Sequence, residues 1–406
     1  MQINIPGDVL TIIEKLEEAG HSAYMVGGCV RDALMGITPH DYDITTSAKP
    51  EEIKKVFKKT IDTGIQHGTV TVIMHGVGYE VTTFRIDGEY KDSRHPKNVS
   101  YTDNLAKDLE RRDFTINAMA YSKKSGLIDI FNGKEDLERK TVRAVGDPYE
   151  RFKEDALRIL RAIRFAAQLN FTLDEKTKEA VVDLRKSLNN ISRERVRAEL
   201  EKTLLTGSQE KLMLLFDTNV YDSIFTKDLV EINNSDFEKV CKTVAKVSKV
   251  PYLKWAAFFS DCDEKTAQEE FNALKFDNKT KHGALTLISA LKKDLPDANN
   301  MNYYPVRKHI HDVGLIYYPD FIELYEAVYE KEFPYKEAFE KIKENNDPLM
   351  ISDLALTGKD LINEGETPGP SIGKIIDALV EKVLENPSLN KKEMLINEYK
   401  KLKKEM

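Results

Sequence analysis

Two aspartates one position apart, Asp41 and Asp43, follow a short distance after a glycine pair, Gly27-Gly28. The next residues, Ile44-Thr45-Thr46, are β-branched, which favours a strand. Alternate residues of a strand point to the same face, so the pattern predicts two neighbouring carboxylates. Paired carboxylates on a rigid element bind hard divalent cations that also hold phosphates. The chain is therefore expected to build a sheet that carries a metal and phosphate site.

The composition is that of an ordinary globular protein, with 406 residues of which 41% are hydrophobic and 32% charged. The first residues lack a basic segment followed by an apolar one, and no apolar run approaches membrane-spanning length. Three widely spaced cysteines predict neither a disulfide framework nor a zinc motif. We therefore expect a cytoplasmic protein without a membrane partner. The net charge of −7 does not indicate a nucleic-acid binder, but basic residues cluster locally.

The character of the chain changes near Pro148. Before it, short β-type runs at 23–26, 41–45, 69–74 and 79–84 alternate with helical stretches. After it, the apolar periodicity is helical almost to the end. We predict an α+β fold with a small mixed sheet in an N-terminal head, followed by an all-helical neck, body and tail. The predicted boundaries are 1–148 for the head, 149–205 for the neck, 206–304 for the body and 305–406 for the tail.

The glycine pair marks a predicted strand-to-helix turn. Backbone N–H groups at such a turn can meet phosphate oxygens, and Arg31 adds a positive charge there. Neither a P-loop motif nor a Gly-x-Gly-x-x-Gly motif is present. By itself a glycine pair is more often an ordinary turn, and its combination with Arg31 and the aspartate pair indicates a phosphate site.

Several motifs together resemble class II CCA-adding enzymes, the tRNA nucleotidyltransferases of the poly(A) polymerase type. They occur in order as GGCVRD (27–32), DYD (41–43), RRDFTINA (111–118), VRAVGDP (142–148), EDALR (154–158), RF (164–165) and ERVRAEL (194–200). The resemblance covers about the N-terminal half of the chain, and residues 351–379 resemble the C-terminal region of the same enzymes, while the match between about 206 and 350 is diffuse. It implies a polymerase-β-like nucleotidyltransferase head.

The resemblance also implies residue roles. Asp41 and Asp43 would be catalytic and bind magnesium, and Gly28 with Arg31 would contact the triphosphate. Arg112 would contact the nucleotide, with Asp113 near the ribose. Independently, two cations beside an acceptor at 111–113 suit a triphosphate and a ribose hydroxyl, although an ion-paired helix end is an alternative. Glu80 is a candidate third carboxylate or a structural salt-bridge partner.

Asp155 and Arg158 are three residues apart in a run that is expected to be helical, so their side chains should be neighbours. They could form a simple surface ion pair. In a pocket, an acceptor beside donors matches the amino group and ring nitrogen of cytosine and adenine, and would select C and A. Arg161 and Arg164 continue the spacing and, by the resemblance, lie near the nucleotide. Arg164 could instead support the pocket or hold RNA.

We predict template-independent addition of C, C and A to the 3′ end of tRNA, with CTP and ATP as substrates and Mg²⁺ as cofactor in a two-metal transfer. The partners would be the 3′ end and acceptor arm of tRNA, with no obligate protein partner. A loop at 87–96 resembles one that A-adding members carry. Alternatives are a poly(A) polymerase or an A-only enzyme, a small-molecule nucleotidyltransferase, and an inactive RNA-binding module.

Overall fold

The computed structural model of this chain describes residues 3–88, 99–226, 234–295 and 303–405. The chain divides into two compact units, Met1–Cys241 with Ala273–Lys275, and Lys242–Asn272 with Phe276–Met406. Across the described residues, none of the helices combines the length and the apolar character that crossing a membrane requires.

The first unit contains a seven-stranded sheet with the order β3-β4-β5-β2-β1-β8-β9. Strands β2 and β5 are parallel and the other neighbours are antiparallel, which confirms the predicted small mixed sheet. Two further ladders join β6 to β7 and β10 to β11. The strands are β1 Ala23–Val26, β2 Ile44–Thr46, β3 Thr60–Gly64, β4 Thr69–Met74, β5 Val77–Thr83, β6 Arg85–Asp87, β7 Val99–Tyr101, β8 Ala120–Ser122, β9 Gly126–Ile128, β10 Thr141–Val142 and β11 Thr172–Leu173.

Helices occur throughout the first unit and dominate it after Pro148, as predicted. Those of the first unit are α1 Gly7–Glu18, α2 Gly28–Leu34, α3 Pro50–Val56, α4 Leu105–Glu110, α5 Gly133–Glu138, α6 Pro148–Glu154, α7 Leu157–Leu169, α8 Glu175–Leu184, α9 Arg193–Thr206, α10 Gln209–Leu212, α11 Leu214–Asp217 and α12 Tyr221–Ile224. Helix α6 packs on α8, and α7 packs on α9. One exception to the all-helical expectation is β11, which pairs in parallel with β10.

The two faces of the sheet have different roles because side chains alternate along each strand. One face, which includes Met25 and Ile44, packs against α1 through Ile12 and Ile13 and forms the main core of the head. The other face carries Val26, which packs with Leu109 of α4. Thr45, the middle residue of β2, lies on this second face, and its Oγ1 donates to Asp108 of α4.

The second unit is helical throughout its described part, as predicted. After α13 Asn234–Lys246, in which the division between the units falls, the helices are α14 Pro251–Phe258, α15 Glu264–Ala273, α16 Asn278–Lys292, α17 Tyr304–Val313, α18 Tyr318–Tyr329, α19 Lys336–Glu344, α20 Gly358–Asn363, α21 Pro370–Glu385 and α22 Lys392–Glu405. Aromatic side chains fill its core, including Trp255, which stacks with Phe259 and meets Phe276 edge-on.

Candidate active site

The glycine pair forms the predicted strand-to-helix turn. Strand β1 ends at Val26, Gly27 has a φ of 81°, and α2 begins at Gly28. A Cβ atom on Gly27 would lie 3.0 Å from Nη1 of Arg112, and one on Gly28 would lie 3.6 Å from Nη2 of Arg31. The absence of a side chain at Gly27 therefore allows the Arg112 guanidinium to approach the backbone closely, whereas the distance at Gly28 is an ordinary van der Waals contact.

Arg31 is a positive charge held in place at this turn. Its side chain is only 6% exposed, and its Nε donates to Oδ1 of Asp32 at 2.8 Å. Its Nη1 donates to Oδ1 of Asn117 at 2.7 Å. Two anchors on one guanidinium fix its orientation, which is what recognition of a phosphate group requires.

The aspartate pair lies just before a strand, and the prediction that both residues belong to the strand is wrong. Strand β2 begins at Ile44, although the Val26 N–H donates to the Asp43 carbonyl at 3.0 Å. The backbone of Asp43 is thus still hydrogen-bonded to β1. The Asp41 and Asp43 side chains are both exposed to solvent just before β2.

Glu80 is an electrostatic neighbour of the aspartate pair. The register of β2 and β5 pairs Ile44 with Val81, which places Glu80 beside Asp43. Burial raises the pKa of Glu80, and the charges of Asp43 and Asp41 raise it further. Burial also raises the pKa of Asp43, Arg112 lowers it, and Asp41 raises it again. Three carboxylates that repel one another in this way favour a bound cation.

The residues present fit a divalent cation that is bound partly by carboxylates and partly by phosphate oxygens. Among the described residues, no hydrogen bond or ion pair occupies the Asp41 or Asp43 carboxylate. Within the same part of the chain, no group of three or more His, Cys, Asp or Glu side chains could hold a metal ion alone. Magnesium is typically bound by one or two carboxylates together with substrate phosphates. This donor set matches two aspartates beside a phosphate site.

Asp108 organises the arginines at the end of α4 and is not among the site residues predicted from the sequence. Its fully buried carboxylate accepts hydrogen bonds from Thr45 Oγ1 at 3.1 Å and from Arg111 Nε and Nη2 at 2.9 and 2.7 Å. Arg112 Nη2 lies 3.5 Å away. Burial alone would raise the pKa of Asp108, but Arg111 and Arg112 lower it. The spacing of three residues from Asp108 to Arg111 was the available signal.

Arg112 lies between this ion-paired helix end and the glycine turn. Its Nε atom is buried without a hydrogen-bond partner among the described residues. Burial lowers the pKa of Arg112, while the charges of Asp108 and Asp43 oppose that effect. The ion-paired helix end that the sequence allowed as an alternative is therefore present. The Arg112 side chain also borders the glycine turn.

Asp113 is joined to α7 by a short ion pair. Its Oδ2 accepts from Arg161 Nε and Nη2 at 2.9 and 2.5 Å, and its Oδ1 accepts from Asn117 Nδ2 at 3.2 Å and from the Phe114 N–H at 2.8 Å. Burial would raise the pKa of Asp113, but Arg161 lowers it to about 2. Asp113 is therefore a charged acceptor that fixes Arg161.

The helix expected around Asp155 is interrupted, so that prediction is wrong. Helix α6 ends at Glu154 and α7 begins at Leu157. Asp155 has extended backbone angles, and its Oδ1 accepts from the Leu157 N–H at 3.1 Å. An aspartate side chain that satisfies a free N–H at the start of a helix competes with helix continuation, which explains the break.

Asp155 and Arg158 each pair with another residue. Asp155 Oδ2 accepts from Arg195 Nη2 of α9 at 2.9 Å. Arg158 Nη1 donates to Glu154 Oε2 at 2.8 Å, and its Nη2 donates to the Arg111 carbonyl at 3.0 Å. The ion pair between Asp155 and Arg158 that the spacing allowed is replaced by these two pairs. Arg195 lies in a basic cluster that sequence alone could not distinguish from a solvated helix face.

Arg164 is nearly buried on α7. Its Nε donates to Oε2 of Glu199 on α9 at 2.5 Å, and its Nη1 donates to Oε1 of Gln168 at 2.9 Å. Burial lowers its pKa, and Glu199 opposes that effect.

The predicted loop at 87–96 lies, from residue 89 onward, outside the described residues.

Comparison with known proteins extends over the whole chain. The family model described as poly A polymerase head domain matches residues 23–143, and that of tRNA nucleotidyltransferase domain 2 matches residues 251–398. The CCA-adding enzyme of Ligilactobacillus salivarius is 39% identical over 99% of this chain and 98% of that enzyme. That of Leuconostoc mesenteroides is 38% identical over 94% of this chain and 93% of that enzyme. The crystal structure of the Bacillus stearothermophilus CCA-adding enzyme in complex with CTP matches with a TM-score of 0.79 and 32% identity over 98% of both chains.

Proposed function

This chain belongs to the CCA-adding enzymes, a family of tRNA nucleotidyltransferases, and we propose that it adds C, C and A in turn to the 3′ end of tRNA from CTP and ATP. The observation that carries the proposal is the group of three carboxylates, Asp41, Asp43 and Glu80, at the glycine turn beside Arg112. Cation-binding and phosphate-binding groups meet there, which is the combination that nucleotidyl transfer needs.

Asp41 and Asp43 are proposed to hold magnesium, with Glu80 as a further acidic neighbour. Two bound ions would activate the 3′-hydroxyl of tRNA and neutralise the triphosphate and the leaving pyrophosphate. Family members generally use divalent metal ions, and the choice of magnesium rests on the all-oxygen donor set. The chain's own task at this point is to place both carboxylates just before β2, where no hydrogen bond or ion pair within the described residues occupies them.

Arginine side chains are proposed to bind the triphosphate. Arg31 and Arg112 border the Gly27-Gly28 turn, and their guanidinium groups are fixed by Asp32 and Asp108. Fixed donors lose little conformational entropy on binding, so they suit a ligand that must be aligned for in-line attack. Asp113 is proposed to lie near the ribose.

Asp155 and Arg158 are proposed to choose the base. In the free protein both are engaged, Asp155 with Arg195 and Arg158 with Glu154. A bound cytosine or adenine would have to share or replace these partners, so the ion pairs define the acceptor and donor positions before the nucleotide arrives. Binding and base choice would then be coupled through Arg195.

Changing Asp155 to asparagine is predicted to weaken base discrimination more than transfer. The amide adds a donor where the base presents its amino group, so UTP should be rejected less well, by about tenfold. Competition between CTP and UTP on tRNA that lacks its CCA end measures this. Asp183→Asn, at a carboxylate of α8 that accepts from Tyr149, is the control. Unchanged selectivity would remove Asp155 from base choice.

The helical neck, body and tail, proposed at residues 149–205, 206–304 and 305–406, would hold the acceptor arm through phosphate and shape contacts. Head residues 1–148 would carry the chemistry. The extension assay that tests the function uses tRNA without its CCA end and labelled CTP and ATP. We expect exactly three additions with both nucleotides. Long products from ATP alone would support the poly(A) polymerase alternative, and a single A would support the A-only alternative.

A further inference from the structure

Three arginine side chains converge on one aromatic ring in the C-terminal half of α7. The guanidinium carbon of Arg164 lies 3.9 Å from the centroid of the Phe165 ring, and those of Arg31 and Arg161 lie 5.3 and 5.4 Å from it. The Phe165 side chain is buried, and its ring meets Phe114 edge-on at 5.7 Å. The ring is therefore held by the protein interior while cations surround it.

Each of the three arginines is anchored by a different carboxylate. Arg31 binds Asp32, Arg161 binds Asp113, and Arg164 binds Glu199. Each of these acidic anchors fixes one edge of its guanidinium group. Among the described residues, Nη1 of Arg161 and Nη2 of Arg164 have no hydrogen-bond partner. Donors remain available on the same cluster that the anchors orient.

Like charges gathered this closely repel one another, so the cluster needs something besides the anchors to hold it together. The face of an aromatic ring carries partial negative charge and attracts cations at these distances. An aliphatic side chain would fill the same volume without this attraction. Among the residues that the structure describes, Phe165 is the ring over which the guanidinium groups of Arg31, Arg161 and Arg164 all lie.

We propose that Phe165 is a positioning residue that holds these three guanidinium groups in the arrangement that binds the nucleotide triphosphate. The inference rests on the proposed function and deepens it. Phe165 acts through the arginines and does not itself touch the nucleotide. Because CTP and ATP share the triphosphate, its contribution is the same for both, and it takes no part in base choice.

Replacing Phe165 with leucine should raise the KM for CTP and for ATP about fivefold each, which corresponds to a cation–π contribution of about 1 kcal/mol. The kcat should change less than about twofold, and the CTP to UTP preference should stay the same. Phe165→Tyr, which keeps the ring, should restore most of the affinity. Titration calorimetry with CTP in the absence of tRNA measures the same loss as a change in Kd.

Phe171→Leu is the matched control because Phe171 is also a buried neck phenylalanine, and no guanidinium lies over its ring among the described residues. It should lose comparable thermal stability and keep the wild-type KM. A cycle with Arg164→Lys should be non-additive, since both changes act on one contact.

A wild-type KM in Phe165→Leu, or an equal KM increase in Phe171→Leu, would overturn the positioning role while wild-type protein still extends tRNA. A loss of kcat without a change in KM would overturn it as well. Wild-type protein that neither binds CTP nor extends tRNA would instead overturn the proposed function. The two failures are thus distinguishable in one set of assays.

Discussion

Replacing Asp43 with asparagine should reduce transfer from both CTP and ATP by about 10³-fold or more. The change keeps the size of the side chain. It removes one of the three neighbouring negative charges, the other two being those of Asp41 and Glu80. Metal-assisted charge stabilisation in phosphate chemistry is worth several kcal/mol, and Asp41 and Asp43 are the residues proposed to hold the metal. Incorporation of labelled CMP into tRNA that lacks its CCA end measures the loss.

The same variant should be more stable than the wild type when no divalent cation is present. The folded pKa of Asp43 is raised above its usual value, so the folded protein binds protons more tightly than the unfolded chain. The charged carboxylate therefore destabilises the fold as the pH rises through that raised pKa, and the neutral amide avoids this. Adding Mg²⁺ should raise the melting temperature of the wild type and much less that of Asp43→Asn.

Asp62→Asn is the control for both measurements. Asp62 is half-exposed on the outer strand β3 and pairs with Lys54. Circular dichroism is the appropriate probe of melting because the single tryptophan, Trp255, lies in the second unit. Retention of transfer by Asp43→Asn, or equal stabilisation of both proteins by Mg²⁺, would contradict the assignment of Asp43 as a cation ligand.

Local patterns explain which parts of this fold could be predicted. The turn at Gly27-Gly28 followed directly from an apolar run before it and helix-forming residues after it, and the structure places β1 and α2 there. Pro50 is the first residue of α3, a position where the missing N–H of proline does no harm. Such features depend on neighbours in sequence, where periodicity and turn residues carry the information.

The interruption at Asp155 was a local feature that periodicity concealed. The surrounding residues form helix readily, and a three-residue spacing in a helix brings side chains together. Asp155 instead caps α7 through the Leu157 N–H. An aspartate directly before an apolar helical run is a capping signal, and giving that signal more weight would have predicted two helices in place of one.

Local sequence patterns could not predict the ion pairs that form across the site. Asp155 meets Arg195 forty positions away, and Asp113 meets Arg161 forty-eight positions away. The spacing rules that relate residues three or four apart do not reach such pairs. Candidate residues could be named from their motifs, but their partners depend on how α7 and α9 pack.

Replacing Asp113 with asparagine should lower the free energy of unfolding of the first unit by about 2 kcal/mol at pH 7. Asparagine keeps an acceptor for the Phe114 N–H but loses the charge that binds Arg161 through two hydrogen bonds. Arg161 would also lose its alignment, so the KM for both nucleotides should rise. Urea unfolding followed by circular dichroism measures the stability, and hydrogen exchange in Leu157–Leu169 localises the change.

The pH dependence separates charge from hydrogen bonding in this pair. The pKa of Asp113 is about 2 in the folded protein, against an ordinary value of 3.8. A depressed folded pKa stabilises the protein above the unfolded value, and this contribution disappears as the pH falls from about 5 toward 2. The wild type should therefore lose its advantage over Asp113→Asn on acidification. A difference that stays constant from pH 7 to pH 3 would mean that neutral hydrogen bonds, and not the carboxylate charge, hold Arg161 to the head.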